Sequence, residues 1–224
     1  KERDFIVNNQ AVDRLTATKT VANEFIERRV GDRLGLILFG TNAYLQTPLS
    51  FDRKTVQILL NESALGLAGE STAIGDAIGL AVKRLQSQTD SRVLILLTDG
   101  ANTAGEVSPI KAAEIAAQHQ LKIYTIGIGA DEMIVRSFFG SQRVNPSRDL
   151  DEKTLTTIAE KTGGRYFRAR KTDELKQIYH LLDELEPVEK DKQFFRPRSE
   201  LFFWPLSIAL LLVSIISFTR IRLT

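Results

Sequence analysis

The sequence predicts an α/β fold in which a doubly wound, mainly parallel sheet carries helices on both faces, with one transmembrane helix near the C-terminus. Two apolar runs without polar alternation, Leu34–Phe39 and Val93–Leu97, are typical of parallel strands covered on both faces. Segments with helical spacing of apolar residues alternate with such runs. Residues 201–218 carry no charge, which predicts a helix that crosses a membrane.

The composition excludes several classes of function. Thirty Lys and Arg against 28 Asp and Glu leave a net charge of +2, so an extended nucleic-acid surface, where one sign of charge should dominate, is not expected. There is no cysteine, which excludes disulfides, a thiol nucleophile and a thiolate metal site. The two histidines, His119 and His180, lie in polar late-helix settings that are typical of solvated side chains.

The first half of the chain predicts helix, strand, strand, helix. Apolar residues at helical spacing predict a helix over about 11–29, and Gly31 ends it. The strand at Leu34–Phe39 is followed by a shorter, more polar one at 43–49, joined to it by a hairpin. Asp52 begins the next helix. The residues on the apolar face of the first helix are Leu15, Thr18, Ala22, Phe25 and Ile26.

The stretch Glu70-Ser-Thr-Ala-Ile-Gly-Asp-Ala-Ile-Gly79 begins another helix. Thr72 is placed to be its N-cap, and Asp76 lies in its first turn, where the helix dipole favours a negative charge. Neither residue needs a ligand to explain it. No Gly-Lys-Ser/Thr comes after this stretch, so it is not a phosphate-binding loop.

Alternating strands and helices continue through the second half. Ser108 and Pro109 predict an N-cap and first helical residue, 121–127 a strand, and 131–148 an irregular excursion. Asp151 opens a helix that ends at Gly163, residues 165–169 form a short last strand, and Thr172 starts the final helix.

Asp99 lies directly after the apolar run Val93–Leu97 and Thr98. In open α/β sheets, ligands bind beyond the carboxyl ends of the strands, which makes Asp99 a candidate site residue. A plain turn at Asp99-Gly100, in which Asp99 caps the next segment of the chain, explains the same residues. From this stretch alone the two interpretations remain open.

Four regions are predicted: a domain at 1–186, a charged linker at 187–200, a transmembrane helix at 201–218 and a short basic tail at 219–224. Glu186-Pro187 ends the domain's last helix, and Trp204 is a candidate interface anchor. A buried core helix is the alternative for 201–218, although such a helix normally keeps a polar face. Basic residues flank the segment on both sides, so the side of the membrane that holds the domain stays open.

Three motifs, in this order, resemble a von Willebrand factor type A domain: Asp32-Arg-Leu-Gly-Leu-Ile-Leu-Phe-Gly40, then Glu70 to Gly79, then the Leu-Leu-Thr-Asp-Gly that contains Asp99. Outside them the chain is similar to the Bat (aerotolerance) family of bacterial membrane proteins. That similarity is carried by Arg143-Val-Asn-Pro146, Asp149-Leu-Asp-Glu152, Thr162-Gly-Gly-Arg-Tyr-Phe-Arg168 and Trp204-Pro205.

The resemblance implies a metal-ion-dependent adhesion site, which binds Mg²⁺, or Mn²⁺ or Ca²⁺, through an Asp-x-Ser-x-Ser motif, a Thr and an Asp. By motif the Thr is Thr72 and the Asp is Asp99. Hydroxyl and carboxylate oxygens suit such hard cations. An acidic residue of a partner would take the ion's remaining position. The implied partners are other Bat proteins and a MoxR-type AAA+ ATPase, and the implied location is the bacterial inner membrane, with the domain in the periplasm.

The chain departs from the family in one respect, because no Asp-x-Ser-x-Ser is present and Lys1 stands where that motif should just have ended. We therefore expect a truncated domain that lacks the central first strand and three metal-site residues. The consequences would be a sheet with an unfilled centre and a weak or vacant metal site.

Two classes of function are consistent with the sequence. The first is a non-enzymatic, membrane-anchored, metal-dependent docking module in a Bat/MoxR complex linked to aerotolerance or envelope stress. The alternative is a doubly wound hydrolase or phosphotransferase that uses Asp99. Such an enzyme needs a second acid or a base nearby, and the ends of the strands at Gly40-Thr41-Asn42 and Gly127-Ile-Gly129 offer neither.

Overall fold

The computed structural model describes residues 4–7, 10–86, 91–137, 140–187 and 203–222. The chain divides into two compact units, Lys1–Glu189 and Lys190–Thr224. The predicted linker at 187–200 lies, after residue 187, outside the described residues.

The first unit contains fifteen of the elements that the structure describes, and the second contains one helix. In chain order they are β1 (Phe5–Val7), β2 (Gln10–Val12), α1 (Arg14–Arg28), β3 (Leu34–Phe39), β4 (Ala43–Ser50), α2 (Arg53–Glu62), α3 (Ile74–Leu85), β5 (Val93–Thr98), α4 (Pro109–Gln118), β6 (Lys122–Ile128), β7 (Met133–Ser137), β8 (Gly140–Val144), α5 (Glu152–Lys161), β9 (Tyr166–Ala169), α6 (Thr172–Leu185) and α7 (Phe203–Arg222).

Local sequence accounts for where four helices begin. The side chains of Asp13, Asp52, Ser108 and Asp151 each accept a hydrogen bond from a backbone N–H in the first turn of α1, α2, α4 and α5 respectively. Such caps satisfy amide groups that have no partner inside the helix. The predicted starts at Asp52, Ser108 and Asp151 are confirmed, whereas α1 starts three residues later than predicted because β2 occupies Gln10–Val12.

Strands β5, β6 and β9 form the parallel sheet that the sequence predicts, in the order β5-β6-β9. Side chains of β6 point alternately to two cores. Tyr124, Ile126 and Ile128 pack with α1 and α6 on one face, and Ile123 packs with α3, α4 and α5 on the other. The sheet therefore has helices on both faces, and a doubly wound α/β fold is confirmed for the part of the unit built around β5, β6 and β9.

Strands β3 and β4 form a separate antiparallel pair, as the predicted hairpin requires. Within the described residues no ladder joins β3 to β5, so the sheet is interrupted where the sequence predicts an unfilled centre. A groove of about 810 Å³ lies between β3 and β5. Gly40 needs to be glycine at the end of β3, because a Cβ there would come within 2.6 Å of the Ala68 carbonyl oxygen.

Two short strand pairs were not predicted. β1 and β2 pair antiparallel at the start of the described chain. β7 and β8 form an antiparallel hairpin inside 131–148, which the sequence predicted to be irregular. Each strand of these pairs has three or five residues, too few for polar alternation to identify a strand with certainty.

The second unit contains α7, a helix of 20 residues. It runs to Arg222, so the helix does not end at 218 as predicted, and most of the predicted basic tail is helical. The prediction of a transmembrane helix at 201–218 is not supported: in the described part of the chain, no helix has the length and apolar character to cross a membrane.

Candidate functional site

Thr72 and Asp99 both line the groove between β3 and β5. Asp99 comes directly after the last residue of β5, and Thr72 lies just before α3. Two hydrogen bonds show that the carboxyl ends of β3 and β5 lie together: the backbone N–H of Ala73 donates to the carbonyl oxygen of Gly40 (2.8 Å), and that of Ile74 to the side-chain oxygen of Asn102 (2.8 Å). The structure thus brings both predicted site residues to one end of one groove.

Thr72 is held through its backbone. Its N–H donates to the hydroxyl of Thr103 (3.0 Å), and its carbonyl oxygen accepts from the backbone N–H groups of Thr103 (2.9 Å) and Ala104 (3.1 Å). The prediction that Thr72 is the N-cap of α3 is wrong, because Ala73 takes that position and its side chain makes no cap. Asn102 supplies the capping oxygen instead, so the Thr72 hydroxyl is not committed to the helix start.

Asp99 forms an ion pair with Arg14, with 3.1 Å between Oδ2 and Nη1. The Asp99 side chain is 61% exposed and that of Arg14 is 13% exposed. The same guanidinium bonds the buried carboxylate of Asp4 through Nη2 (2.8 Å) and Nε (2.9 Å). Arg14 therefore links the end of β5 to the residue that precedes β1.

The surroundings of Arg14 keep its guanidinium charged. Burial alone would lower its pKa, but hydrogen bonds and Coulomb attraction to Asp4 and then Asp99 outweigh that effect, so the pKa is raised above its usual value. The guanidinium also donates to the carbonyl oxygen of Pro146 (3.0 Å). A fixed positive charge thus stands beside the candidate ligand Asp99, and a divalent cation that uses this carboxylate has to compete with it.

Asp76, the acid in the first turn of α3, has a structural role. Its carboxylate accepts from the backbone N–H groups of Glu106 (3.0 Å) and Val107 (3.0 Å). These bonds tie α3 to the loop that precedes α4. These contacts give no support to Asp76 as the second acid that a hydrolase using Asp99 would need.

The oxygen ligands among the described residues are of the type that a hard cation prefers, but they are too few. Hydroxyl and carboxylate oxygens are ligands that Mg²⁺ accepts, and Thr72 and Asp99 supply one of each. Within the described ranges, however, no group of three or more His, Cys, Asp or Glu could hold a metal ion. The residues described do not by themselves form a complete metal site.

Sequence patterns did not identify Arg14, Asp4, Asn102 or Thr103 as residues of this region. Asn102 and Thr103 could have been found, since small polar residues directly after a parallel strand are where site residues lie. Arg14 lies 85 residues from Asp99 in sequence and starts an ordinary amphipathic helix, so no local signal identifies it.

The model of the von Willebrand factor type A domain family matches residues 8–181. The chain belongs to this family.

Relatives and solved structures extend the comparison. An uncharacterized protein of Borreliella burgdorferi is 29% identical over 160 residues, which cover 69% of this chain and 47% of that protein. The chain thus spans about half the length of the curated relatives that it matches. A crystal structure of an uncharacterized membrane spanning protein from Vibrio fischeri is 58% identical, covering 81% of this chain and 90% of that one, with a TM-score of 0.44.

Three further solved structures share the fold. BatB from Bacteroides thetaiotaomicron has a TM-score of 0.63 at 24% identity, covering 77% of this chain and 88% of its own. An aerotolerance-related membrane protein from Bacteroides fragilis has a TM-score of 0.63 at 22% identity, covering 80% and 92%. A mussel byssus protein, proximal thread matrix protein 1, was solved with a zinc-occupied MIDAS motif. It has a TM-score of 0.62 at 20% identity and covers 80% of this chain and 42% of its own.

Proposed function

We propose that this chain is a non-enzymatic protein-docking module in which Thr72 and Asp99 contribute oxygen ligands to a divalent cation. An acidic residue of the partner protein would complete the coordination. The observation that carries the proposal is that both residues line one end of the same groove, at the carboxyl ends of the strands. The byssus protein of similar fold, which was solved with a zinc-occupied MIDAS motif, supports the proposal.

The residues that the structure describes supply too few ligands to hold the cation tightly without help. Two described protein oxygens and a competing guanidinium leave most of the coordination to water or to another polypeptide. We therefore expect Mg²⁺ to bind the isolated chain only in the millimolar range, as weak oxygen-ligand sites do. Isothermal titration calorimetry with Mg²⁺, Mn²⁺, Ca²⁺ and Zn²⁺ measures this directly, and a micromolar Mg²⁺ affinity would contradict it.

We further propose that the partners are other Bat proteins and a MoxR-type ATPase, in a membrane-associated complex linked to aerotolerance or envelope stress. The similarity of the fold to BatB and to an aerotolerance-related membrane protein supports this. In the second unit, exposed apolar side chains from Trp204 to Val213 are suited to contact with lipid.

The deciding experiment is a binding assay with purified candidate partners, in Mg²⁺ and in EDTA. Thr72→Ala and Asp99→Asn should each weaken Mg²⁺-dependent binding at least about tenfold, the equivalent of losing one charged or coordinating contact of about 1.4 kcal/mol. The matched control is Asp149→Asn, an acid that is 85% exposed and does not line the groove. Turnover of a generic phosphoester that depends on Asp99 would instead favour the hydrolase.

A further inference from the structure

The hairpin of β7 and β8 forms a sheet of its own. β7 pairs antiparallel with β8, from Met133 opposite Val144 to Ser137 opposite Gly140, and within the described residues neither strand has a second neighbouring strand. Among the described elements, none makes more than marginal contact with either strand. An isolated two-stranded hairpin is marginally stable in water, whereas three or more strands support one another. A further strand would therefore stabilise the hairpin.

Contacts at the base of the hairpin hold it in a defined position. Asp131, two residues before β7, accepts hydrogen bonds from the side chains of Arg168 (3.2 Å) and Arg170 (2.5 Å). The hydroxyl of Ser147, three residues after β8, donates to the carbonyl oxygen of Ala130 (2.8 Å). These bonds involve residues outside the two strands, so they fix the base of the hairpin without covering its backbone edges.

The connection between the strands determines which backbone groups face the outer edge of β7. Only two residues separate Ser137 from Gly140, so these two residues form the hydrogen-bonded pair that closes a two-residue connection. Hydrogen-bonded and non-hydrogen-bonded pairs alternate along an antiparallel ladder. Ser137 therefore directs its backbone groups to β8, with every second residue before it, whereas Glu132, Ile134 and Arg136 direct theirs to the outer edge.

We propose that the outer edge of β7 pairs antiparallel with the same edge of a second copy of this chain. A pairing centred on Ile134 places Ile134 of one copy opposite Ile134 of the second copy, so the outward backbone groups of both strands meet. The two hairpins then form one four-stranded antiparallel sheet around a two-fold axis, which is a closed, isologous contact. This contact does not depend on the proposed metal-dependent docking.

The charges along this segment match the register. Glu132 and Arg136 lie two residues to either side of Ile134, so each glutamate is opposite the arginine of the other copy on both sides of the axis. Opposite charges directly across an antiparallel pair stabilise it, and like charges destabilise it. Glu132 is available for this contact, because its side chain is 70% exposed and its ion pair with Arg143, at 3.6 Å, is an exposed one that contributes little.

The outer edge of β8 is a poorer candidate for self-pairing. Its sequence is Gly140-Ser-Gln-Arg-Val144, and glycine is unfavourable in strands. No pairing of β8 with itself brings opposite charges together, because Arg143 is the only charge of this strand. In β7, by contrast, the β-branched residues Ile134 and Val135 favour a strand. The self-complementary segment is therefore β7.

Self-association can be measured in the full chain, in EDTA and in a non-ionic detergent that covers the exposed apolar side chains of α7. EDTA keeps the outcome independent of the metal-site proposal. Copies labelled at the N-terminal amine with a donor or an acceptor dye report association as energy transfer. The interface is small, so we expect a weak dimer with a dissociation constant of roughly 10 to 100 μM.

Charge reversals test the register. Glu132→Arg and Arg136→Glu should each weaken self-association at least about tenfold, because each places like charges across the axis twice. An equimolar mixture of these two variants should associate as the unchanged chain does, since every pair across the axis then joins an arginine to a glutamate. A chain that carries both reversals should recover the dimer for the same reason. Arg148→Glu, at an 85% exposed residue outside the hairpin, is the matched control and should leave the affinity unchanged.

Ile134→Pro tests the backbone pairing separately. It removes an N–H that faces the outer edge and none that bonds to β8, so the hairpin should persist while the dimer is lost. Circular dichroism confirms that the variants are folded.

Four results would overturn the proposal. They are no energy transfer at concentrations up to about 1 mM, single reversals that associate as tightly as the unchanged chain, failure of the mixture or of the doubly reversed chain to recover the dimer, and an undiminished dimer in Ile134→Pro.

Discussion

Strands β3 and β6 have similar apolar sequences but very different surroundings. In β6, every residue after Lys122 is buried, whereas β3 has no buried residue. The reason is the number of neighbours: β6 pairs with β5 on one edge and β9 on the other, while in the described residues β3 pairs only with β4. An apolar run predicts a strand that can be buried, whereas the extent of its burial depends on the strands and helices that pack around it.

The largest expected effect comes from truncating one apolar side chain in each strand. Ile126 is 0% exposed in the core that β6 shares with α1 and α6. The substitution Ile126→Ala should lower the free energy of unfolding by about 4 kcal/mol, because it leaves a buried cavity. Leu38→Ala, on the groove wall, should cost less than about 1 kcal/mol, because the residue keeps contact with solvent. Urea unfolding measures both. Equal losses would show that the groove is closed in solution.

The ion pairs of Arg14 provide a second contrast. Asp4 is 1% exposed and Asp99 is 61% exposed, although both bond the same guanidinium. Asp4→Asn should destabilise the unit by about 3 kcal/mol, because it leaves a partly buried charge with fewer partners. Asp99→Asn should cost about 0–1 kcal/mol, as exposed pairs do.

Thermal unfolding of the two variants, in the absence of divalent cations, measures this difference. A large loss in Asp99→Asn would contradict the assignment of Asp99 as an available ligand, since it would make the carboxylate a structural anchor. Asp149→Asn is again the matched surface control.

How far the sequence predicts this structure depends on how local each signal is. Strands β3, β5 and β6 and the helix starts at Asp52, Ser108 and Asp151 depend on a few adjacent residues each, and the structure confirms them. The short pairs β1–β2 and β7–β8 carry too little pattern to be recognised. The contact between Arg14 and Asp99 depends on packing between distant segments, which no periodicity reveals.

The prediction of the candidate site was also correct only in part. The family motifs pointed to Thr72 and Asp99 as candidate metal ligands, and the structure places both on the groove between β3 and β5. The role of Thr72 at the helix start was assigned wrongly, because Asn102 reaches the same amide group from another segment. Whether the two residues bind a cation stays a prediction.

Helix α3 packs against α4 and against the pair β3–β4. Two of its glycines, Gly75 and Gly79, differ in how much space surrounds them. A Cβ at Gly75 would lie 1.8 Å from the carbonyl oxygen of Val107, whereas one at Gly79 meets nothing within 4 Å. Gly75→Ala should cost about 2 kcal/mol because the backbone of the loop before α4 must shift. Gly79→Ala should stabilise by about 1 kcal/mol through helix propensity. Chemical unfolding measures both changes, and a neutral Gly75→Ala would mean that α3 and the Val107 loop are loosely packed.

The smallest expected effect concerns two helix caps of the same kind, at the starts of α5 and α2. Asp151 caps α5 beside the parallel sheet, and Asp52 caps α2 beside β3 and β4. In each case hydrogen bonds from the side chain and backbone of a threonine, Thr154 or Thr55, hold the pKa of the carboxyl below its usual value. A lowered pKa in the folded state stabilises the fold above the unfolded pKa, about 3.9 for Asp, and that contribution is lost as pH falls through the folded pKa.

Unfolding free energies at several pH values test whether the Asp151 and Asp52 caps contribute in the same way. Asp151→Ala should cost about 1 kcal/mol at neutral pH, as loss of an N-cap does. Asp151→Asn should keep the cap while removing its share of the acid sensitivity, and Asp52→Asn should behave in the same way. If only the Asp151 variant loses acid sensitivity, the Asp52 cap is not formed in solution and the start of α2 is frayed.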